Sequence, residues 1–429
     1  MLANISDLYS VFRKHNQVST DSRQIIPGSI FFALKGDNFN GNKYAKAAIE
    51  AGAVCAVIDE AEYESKHTFL VDDVLEALQQ LALHHRKQFV IPVIAITGSN
   101  GKTTTKELTN AVLSQHFHVT ATKGNLNNHI GVPLTLLGIT NETEIAIIEM
   151  GANHQGEIAS LCEIANPTHG LITNIGKAHL GGFGGYEGVI KAKGELYNFL
   201  MENNSIAFVN HDNPLLMKLS EGMNRVGYGT NKGLFASGRV NGNTSNLELD
   251  WISEKGIVRI KTNLIGDYNF ENVMAAICIG SDLGVPAEKI TAAISSYNPS
   301  NSRSQAMKTG RNSIVLDAYN ANPSSMKAAI ENFIKLEATH KMVILGDMLE
   351  LGDESLAEHS GIVELIEGSG FEKVVLVGPD FSAVAGNKFP FFLTSDEAYK
   401  WLADQQIDNF LILVKGSRGI KMEKVLNAL

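Results

Sequence analysis

The run VIAITGSNGKTTTKELTNAVL, Val93 to Leu113, constrains the fold more than any other part of the chain. The apolar segment Val93 to Thr97 leads into Gly98, Ser99, Asn100, Gly101, Lys102 and Thr103, and a helix-forming stretch follows. A buried strand, a turn whose glycines let backbone amides approach oxygen atoms, and a helix with partial positive charge at its N-terminus together make a cradle for phosphate. Lys102 can neutralise phosphate charge, and the hydroxyl of Thr103 or Thr104 can reach a divalent cation. The spelling departs from the common G-x-x-x-x-G-K-[ST] pattern. Ile96 stands five residues before Gly101, and the first glycine, Gly98, only three before it.

The strand-and-helix alternation continues on both sides of this loop. FVIPVIAIT, EIAIIEMG, HGLITNIG and SIAFVN alternate with helical stretches, which predicts a parallel sheet covered on both faces. Between Arg225 and Ile265 the segments LELDW and GIVRIKTNLI alternate with period two, so antiparallel hairpins added to that sheet are expected. Upstream, SIFFALKG and AVCAVIDE flank the helical NKYAKAAIEAGA, and VLEALQQLALHHRKQ closes a small α/β unit. The polar stretch SSYNPSNSRSQ, Ser295 to Gln305, reads as a linker. Beyond it SIVLDAY, KMVILGDM, KVVLVG and NFLILVKGS each precede a helical pattern, which predicts a Rossmann-like unit. The expected architecture is therefore α/β in three domains, 1–88, 89–303 and 304–429, arranged around clefts.

Composition limits the partners. With 36 Lys plus Arg against 46 Asp plus Glu, a balance of −10, the chain has no electrostatic footprint for nucleic acid or an anionic membrane. A polyanionic ligand must be held by a local site. Cys55, Cys162 and Cys278 are isolated and lack metal-ligand spacing, which suits small buried hydrophobes in a reducing compartment. No run reaches the roughly 18 apolar residues of a membrane span, and the N-terminus lacks a leader pattern, so a cytoplasmic protein without membrane insertion is expected.

Two further residues gather about the loop. Glu149, in IIEMG, should end a strand running to the same sheet edge, and His179, in TNIGKAHL, follows the end of another. A carboxylate and an imidazole at neighbouring strand ends can share Mg²⁺ or Mn²⁺ on a triphosphate, although a lone histidine after a strand is also a common hydrogen-bonded structural residue.

Beyond these strings, GNLNNHIGVPLTLL (Gly124 to Leu137), EMGANHQGEI (Glu149 to Ile158), KAKGEL (Lys191 to Leu196), DAYNANPSSM (Asp317 to Met326), LGDMLELG (Leu345 to Gly352) and KGSRGIKME (Lys415 to Glu423) make the whole chain resemble the Mur ligases. NANP and LGDMLELG are similar to the branch that joins D-alanyl-D-alanine to UDP-N-acetylmuramoyl-tripeptide through an acyl phosphate made with ATP. In that family the first loop glycine stands where Gly98 does.

The resemblance implies that Gly98, Asn100, Gly101, Lys102, Thr103 and Thr104 hold ATP phosphates, and that Asn272, Arg303 and Asp317 contact the rest of the nucleotide. It implies Thr103 and Glu149 on one Mg²⁺, and His179 and Lys193 on a second, with Lys193 carbamylated. Lys191 stands close enough in sequence to compete for that role. Ser19, Asp21, Ser22 and Arg23 would receive the UDP portion of the precursor, and Asn125, Asn128 and His129 would line its channel. Tyr319, Asn320, Asn322, Lys415, Ser417 and Arg418 would face the dipeptide, and Asn322 followed by Pro323 also spells a helix cap. A monomer that closes its third domain on ligand binding is expected.

Three departures from the family pattern stand out: Asn40-Gly41-Asn42 in place of Asp-Gly-His, Gly181 where an acidic residue is common, and Tyr268 in place of histidine. Two rivals stay open, a sister ligase or folate polyglutamylating enzyme that adds one amino acid, and a nucleotide-binding switch without ligase activity.

Overall fold

A computed structural model describes residues 4–242, 246–253, 256–299 and 303–429. Ser300, Asn301 and Ser302 of the expected linker, and the first three residues, lie outside the described residues. The described strands build three main sheets and a two-stranded ribbon, Lys35–Gly36 with Phe39–Asn40. The α/β expectation is met in each sheet.

The first sheet is parallel throughout, in the order Val18–Ser19, Ile30–Phe32, Cys55–Ile58, Thr68–Leu70. Two helices bracket it in sequence, Ile5–His15 and Val74–Arg86, whose N-terminal amides are capped by Asn4 and Asp73. Val74–Arg86 buries Leu78, Leu81 and Ala82 and packs on two helices of the next sheet, Gly131–Leu136 and Glu157–Ala165. Its last turn is tied there by polar groups. The buried Arg86 guanidinium donates to Ala165 O (3.1 Å), Asn166 O (3.2 Å) and Phe89 O (2.7 Å), and His85 Nε2 lies 2.8 Å from Ile139 O. The carbonyls at a helix C-terminus have no partner within the helix, so a buried guanidinium is well suited to them.

The second sheet has nine strands. From one edge the order is Gly256–Ile265, Asn246–Ser253, Ala236–Val240, Asn224–Gly229, Ile206–Asn210, His169–Ile172, Val93–Thr97, Ile145–Glu149, Val119–Ala121. Only the two pairings that join Ala236–Val240, Asn246–Ser253 and Gly256–Ile265 are antiparallel. The expectation of hairpins from Arg225 onward is corrected at its start. Asn224–Gly229 pairs parallel with Ile206–Asn210, because the helix Pro214–Leu219 carries the chain back across the sheet.

The third sheet runs Gln305–Lys308, Ser313–Asp317, Leu411–Lys415, Lys341–Gly346, Lys373–Val377, Phe391–Phe392, with only the first strand antiparallel. One cluster of buried apolar side chains includes Phe12 and Leu81 from the first part, Val132 and Ile158 from the second, and Met326 and Phe333 from the third. All three cysteines are buried, and burial pushes the thiols of Cys55, Cys162 and Cys278 upward, as expected of inert hydrophobes. Among the described residues no helix is long and apolar enough to cross a membrane.

Candidate active site

Val93–Thr97 is wholly buried, and the helix Lys102–Leu113 begins directly after Gly101. Gly98 has φ +143°, and a Cβ there would lie 2.0 Å from Thr173 Oγ1. Gly101 has φ +78°, and its Cβ would lie 2.4 Å from Asn272 Oδ1. Neither position tolerates a side chain, which accounts for the pattern Gly98-x-x-Gly101. The turn is held from the neighbouring strand end. Asn100 N donates to Asn174 Oδ1 (3.0 Å), Asn100 O accepts from Thr173 Oγ1 (2.6 Å) and Asn174 Nδ2 (3.1 Å), and Gly176 N donates to Ser99 Oγ (2.9 Å). TNIG is thus the template that shapes the phosphate loop.

Lys102 Nζ donates to the loop's own carbonyls, Gly98 O at 2.6 Å and Ser99 O at 3.2 Å. Burial lowers its pKa to about 8, a shift opposed by the Glu149 carboxylate and reinforced by the Arg303 charge. Thr103 Oγ1 donates to Glu149 Oε1 (3.1 Å), and so does Asn127 Nδ2 (2.8 Å). Glu149 Oε2 is buried and has no hydrogen-bond partner. A buried carboxylate oxygen without a proton donor is costly, and a hard cation satisfies it, so the donor set around Glu149 fits Mg²⁺ or Mn²⁺.

His179 caps a short helix, Leu180–Phe183, in a left-handed conformation, φ +53°, and its ring lines the same cleft. Lys193, on Tyr186–Glu202, is buried at 2% exposure, with Nζ 3.5 Å from Ala152 O and 5.2 Å from the centre of the Phe183 ring. Lys191 is exposed on the other side of that helix. Burial, with the nearby Lys102 charge adding to it, lowers the Lys193 pKa to about 7, far below that of an ordinary lysine.

The cleft, about 670 Å³, is shared by the second and third sheets. Beside the loop it contains Asn100, Thr104, Asn125, Asn128 and His129; from the other side come Arg303, Asp317, Tyr319, Asn320, Asn322 and Lys415. Asn272 also lines it, with Oδ1 accepting from Thr105 Oγ1 (3.0 Å) and Nδ2 donating to Asn269 Oδ1 (2.9 Å). Arg303 stacks over the Tyr319 ring at 3.7 Å, and its Nε is buried without a partner. Asp317 Oδ2 pairs with the buried Lys415 ammonium at 2.5 Å. Tyr268, the departure from histidine, donates to or accepts from Ser304 Oγ at 2.8 Å, joining the second sheet's unit to the segment after the linker.

Several of the expected residues stand apart from this cleft. Ser417 is buried, donating to Ala321 O (3.1 Å) and accepting from Leu349 N (2.9 Å), while Arg418 is exposed, 5.4 Å from the Tyr319 ring. Ser19 is buried against Ser29 Oγ (2.8 Å) in the first sheet's unit. Asp21 and Arg23 pair with each other in an exposed turn that also contains Ser22. The other departures are filled locally: Asn40 Nδ2 donates to Glu60, and the buried Asn42 donates to Asp59 Oδ1 (2.8 Å).

Contacts cross from the second unit to the third beside the loop. Asn322 caps the helix Pro323–Lys335 by accepting from Ser325 N (2.9 Å), and its Nδ2 reaches over to donate to Asn100 Oδ1 (2.8 Å). Lys177 N donates to Ser324 Oγ (3.0 Å), Lys177 Nζ pairs with Glu358, and the Glu350 carboxylate lies in close contact with the buried His179 Nδ1, which has no other partner among the described residues. Asn127, Asn174, Ser324 and Glu350 were not expected at the site. The strings that contain them, GNLNNHIG, TNIG, NANPSSM and LGDMLELG, were the available signal.

Residues 14–86 match the catalytic domain of the Mur ligase family, 96–280 the Mur ligase middle domain, and 302–418 the Mur ligase, glutamate ligase domain. The UDP-N-acetylmuramoyl-tripeptide–D-alanyl-D-alanine ligase of Bacillus subtilis (strain 168) is 36% identical over 426 residues, spanning 96% of this chain and 92% of its own. Its counterpart in Escherichia coli (strain K12) is 36% identical over 424 residues, with 96% and 93% covered. Among solved structures, MurF from Acinetobacter baumannii superposes with a TM-score of 0.88 at 31% identity, covering 96% of this chain and 92% of that one. The MurF ligase of Thermotoga maritima, solved in complex with ADP, gives 0.86 at 27%, with 96% and 97% covered.

Proposed function

From a chain that belongs to the Mur ligase family, we infer an ATP-dependent ligase that joins D-alanyl-D-alanine to UDP-N-acetylmuramoyl-tripeptide in peptidoglycan precursor synthesis. The observation that carries this reading is the buried, unpartnered Glu149 Oε2 beside a phosphate loop, in a cleft whose far wall comes from the third unit. A switch protein needs the loop alone and gives no account of that wall.

In the reaction the precursor's terminal carboxylate oxygen attacks the γ-phosphorus of ATP, ADP leaves, and an acyl phosphate forms. The dipeptide's amine then attacks the acyl carbon, the C–N bond forms, the bond from that carbon to the phosphate oxygen breaks with its electron pair leaving on phosphate, and the amine gives up a proton. The protein supplies position and opposite charge, which is where most acceleration of phosphoryl transfer arises. Lys102 exchanges the carbonyls of Gly98 and Ser99 for phosphate oxygen. The amides of Asn100 to Thr104 and the helix N-terminus face the same charge. Arg303, Asp317 and Asn272 hold the nucleoside end.

Thr103 and Glu149 would hold one Mg²⁺, and His179 with Lys193 a second; bound there, the ions neutralise charge on the phosphoryl oxygens. Lys193 fits as the target of CO₂, because a buried amine with a pKa of about 7 presents its lone pair. That lone pair bonds to the carbon, the N–H proton leaves, and a carbamate replaces a cation. Lys191, exposed, has no such environment. Ser19, Asp21, Ser22 and Arg23 receive the uridine nucleotide, with Asn125, Asn128 and His129 along the path to the cleft. Tyr319, Asn320, Asn322 and Ser417 shape the dipeptide side. Lys415 is committed to Asp317, which leaves the exposed Arg418 guanidinium for the dipeptide carboxylate. ATP and a nucleotide-linked precursor as substrates, and free buried cysteines, suit a monomer working in the cytoplasm.

The test is ADP release with Mg-ATP and UDP-N-acetylmuramoyl-tripeptide, in the presence of D-alanyl-D-alanine, without it, or with single amino acids or glutamate instead. Turnover that requires the dipeptide is expected. Turnover with glutamate or one amino acid would reassign the acceptor, and ATP binding without acceptor-dependent turnover would remove the ligase reading.

A further inference from the structure

LGDMLELG, Leu345 to Gly352, is the one family string with no part assigned in the reaction. It begins with the last two residues of the strand Lys341–Gly346 and leads toward the helix Ser355–Glu367. Its backbone is clamped from three sides. Asp347 accepts from Asp380 N (2.9 Å) and Phe381 N (2.8 Å) and through its carbonyl from Ser417 N (3.0 Å); Ser417 Oγ accepts from Leu349 N (2.9 Å). Met348 N donates to His359 Nε2 (3.0 Å), whose Nδ1 lies 2.7 Å from Ser355 O, so the fully buried imidazole is a neutral ring with its proton on Nδ1. Asp347, His359 and Asp380 have the composition of a metal cluster, yet the ring nitrogens and both Asp347 oxygens already have partners, so the group serves as scaffolding.

What the scaffold presents is Glu350. This residue sits at φ +66°, a conformation unfavourable for a residue with a Cβ, and the neighbouring clamps maintain it. The strained backbone puts the carboxylate against His179 Nδ1 across the boundary between units, while Gly181 N donates to Glu350 O at 3.4 Å. Gly181 packs beside Gly352, whose Cα lies 3.5 Å from where a Cβ on Gly181 would stand, an ordinary van der Waals distance.

We propose that Glu350 is the positioning residue for His179: it fixes the proton on Nδ1 and leaves Nε2 as the lone-pair nitrogen, so the imidazole is set for a cation only when the third unit is docked. A carboxylate on the far nitrogen is what orients a ligating imidazole, and loss of such a partner typically weakens metal affinity about 10–100-fold. The same contact links docking of the third unit to completion of the cation site, since each favours the other. The proposal rests on the reading of His179 as a cation ligand, and the experiment separates the two.

Mn²⁺ affinity is measured by electron paramagnetic resonance with ADP present, on the unmodified protein and on H179A, E350A, E350Q and K177A, each first shown to keep its melting temperature within a few degrees. Expected are weaker Mn²⁺ binding in H179A, a loss of tenfold or more in E350A, a smaller one in E350Q, whose amide oxygen still accepts from Nδ1–H, and unchanged affinity in K177A. K177A removes another cross-boundary ion pair without touching His179. H179A and E350A both binding Mn²⁺ normally would sink the cation-ligand reading itself. A loss in H179A with none in E350A would overturn the role of Glu350 alone, and so would an equal loss in E350A and K177A, which would assign the effect to docking in general.

Discussion

Asn322 does two jobs that one substitution can separate. Its Oδ1 caps the helix Pro323–Lys335 and its Nδ2 donates to Asn100 Oδ1 at the tip of the phosphate loop. Aspartate caps a helix as well as asparagine does but cannot donate, and in N322D an acceptor would face the Asn100 oxygen. Fold stability should therefore stay within a few tenths of a kcal/mol, while the cross-boundary link loses a hydrogen bond of about 0.5–1.5 kcal/mol. If catalysis requires the docked arrangement, 1.4 kcal/mol taken from docking lowers kcat/KM about tenfold. N322A should show that loss together with a melting temperature lower by a few degrees, because the cap, typically about 1 kcal/mol, goes too. A double-mutant cycle with N100A gives the coupling directly, expected between about 0.5 and 1.5 kcal/mol. Equal melting losses in N322D and N322A, or an unchanged kcat/KM in N322D, would refute the division of roles.

The other expectations concern the loop, the buried lysine and the first helix junction. G98A should abolish ADP binding measured by calorimetry, since the added methyl meets Thr173 Oγ1 at 2.0 Å; retained affinity would show that the turn can relax. K193A should lose most activity and regain part of it with added short carboxylic acids, whereas K191A should resemble the unmodified protein; full activity in K193A removes that side chain from the cation site. Burial lowers the pKa of His85 below the ordinary value near 6.5, so the unfolded chain binds the proton more readily. Stability is then complete above pH 6.5 and declines below it, at most about 1.4 kcal/mol per pH unit for this group. Urea midpoints between pH 8 and 5.5 should fall less steeply in H85Q, and an identical slope would exclude His85 as a source. R86M, which strips three carbonyls of their donor, should cost on the order of 3 kcal/mol in urea unfolding, and a change under 1 kcal/mol would show that water replaces the guanidinium.

What could be read from the residues was local. Val93 to Leu113 contains its own strand, glycines and helix start, so the phosphate loop was legible without its surroundings. The buried strands were legible because each is a short continuous apolar run. Alternation, in contrast, reports half-burial and says nothing of direction, which is why Asn224–Gly229 was expected in a hairpin and pairs parallel. Lys191 and Lys193 lie about 200° apart around a helix, so one is buried and one exposed, but which one depends on a face set by the strands beneath. Asn127, Asn174 and Glu350 are short or solvated-looking residues whose partners lie 22, 74 and 171 positions away, a distance at which no spacing rule operates. The exposed Asp21–Arg23 turn and the cleft are likewise linked by no pattern along the chain.

The helix Val74–Arg86 belongs by sequence to the first α/β unit, where it packs on Ile5–His15, and it packs still more extensively on the second unit. Anyone exchanging modules between relatives of this protein would cut near residue 88, where the composition changes. A fragment beginning at Phe89 would bare the apolar faces of Gly131–Leu136 and Glu157–Ala165 and leave the Ala165 and Asn166 carbonyls without their guanidinium. A graft that retains Val74–Arg86 with the recipient's nucleotide-handling unit, and swaps only what precedes Asp73, keeps that joint filled and has to rebuild only the helix's contacts with Ile5–His15 and Ile30–Phe32. The seam for changing what the first unit recognises is thus the helix's capped beginning, and the linker-like end marks a joint that is already filled.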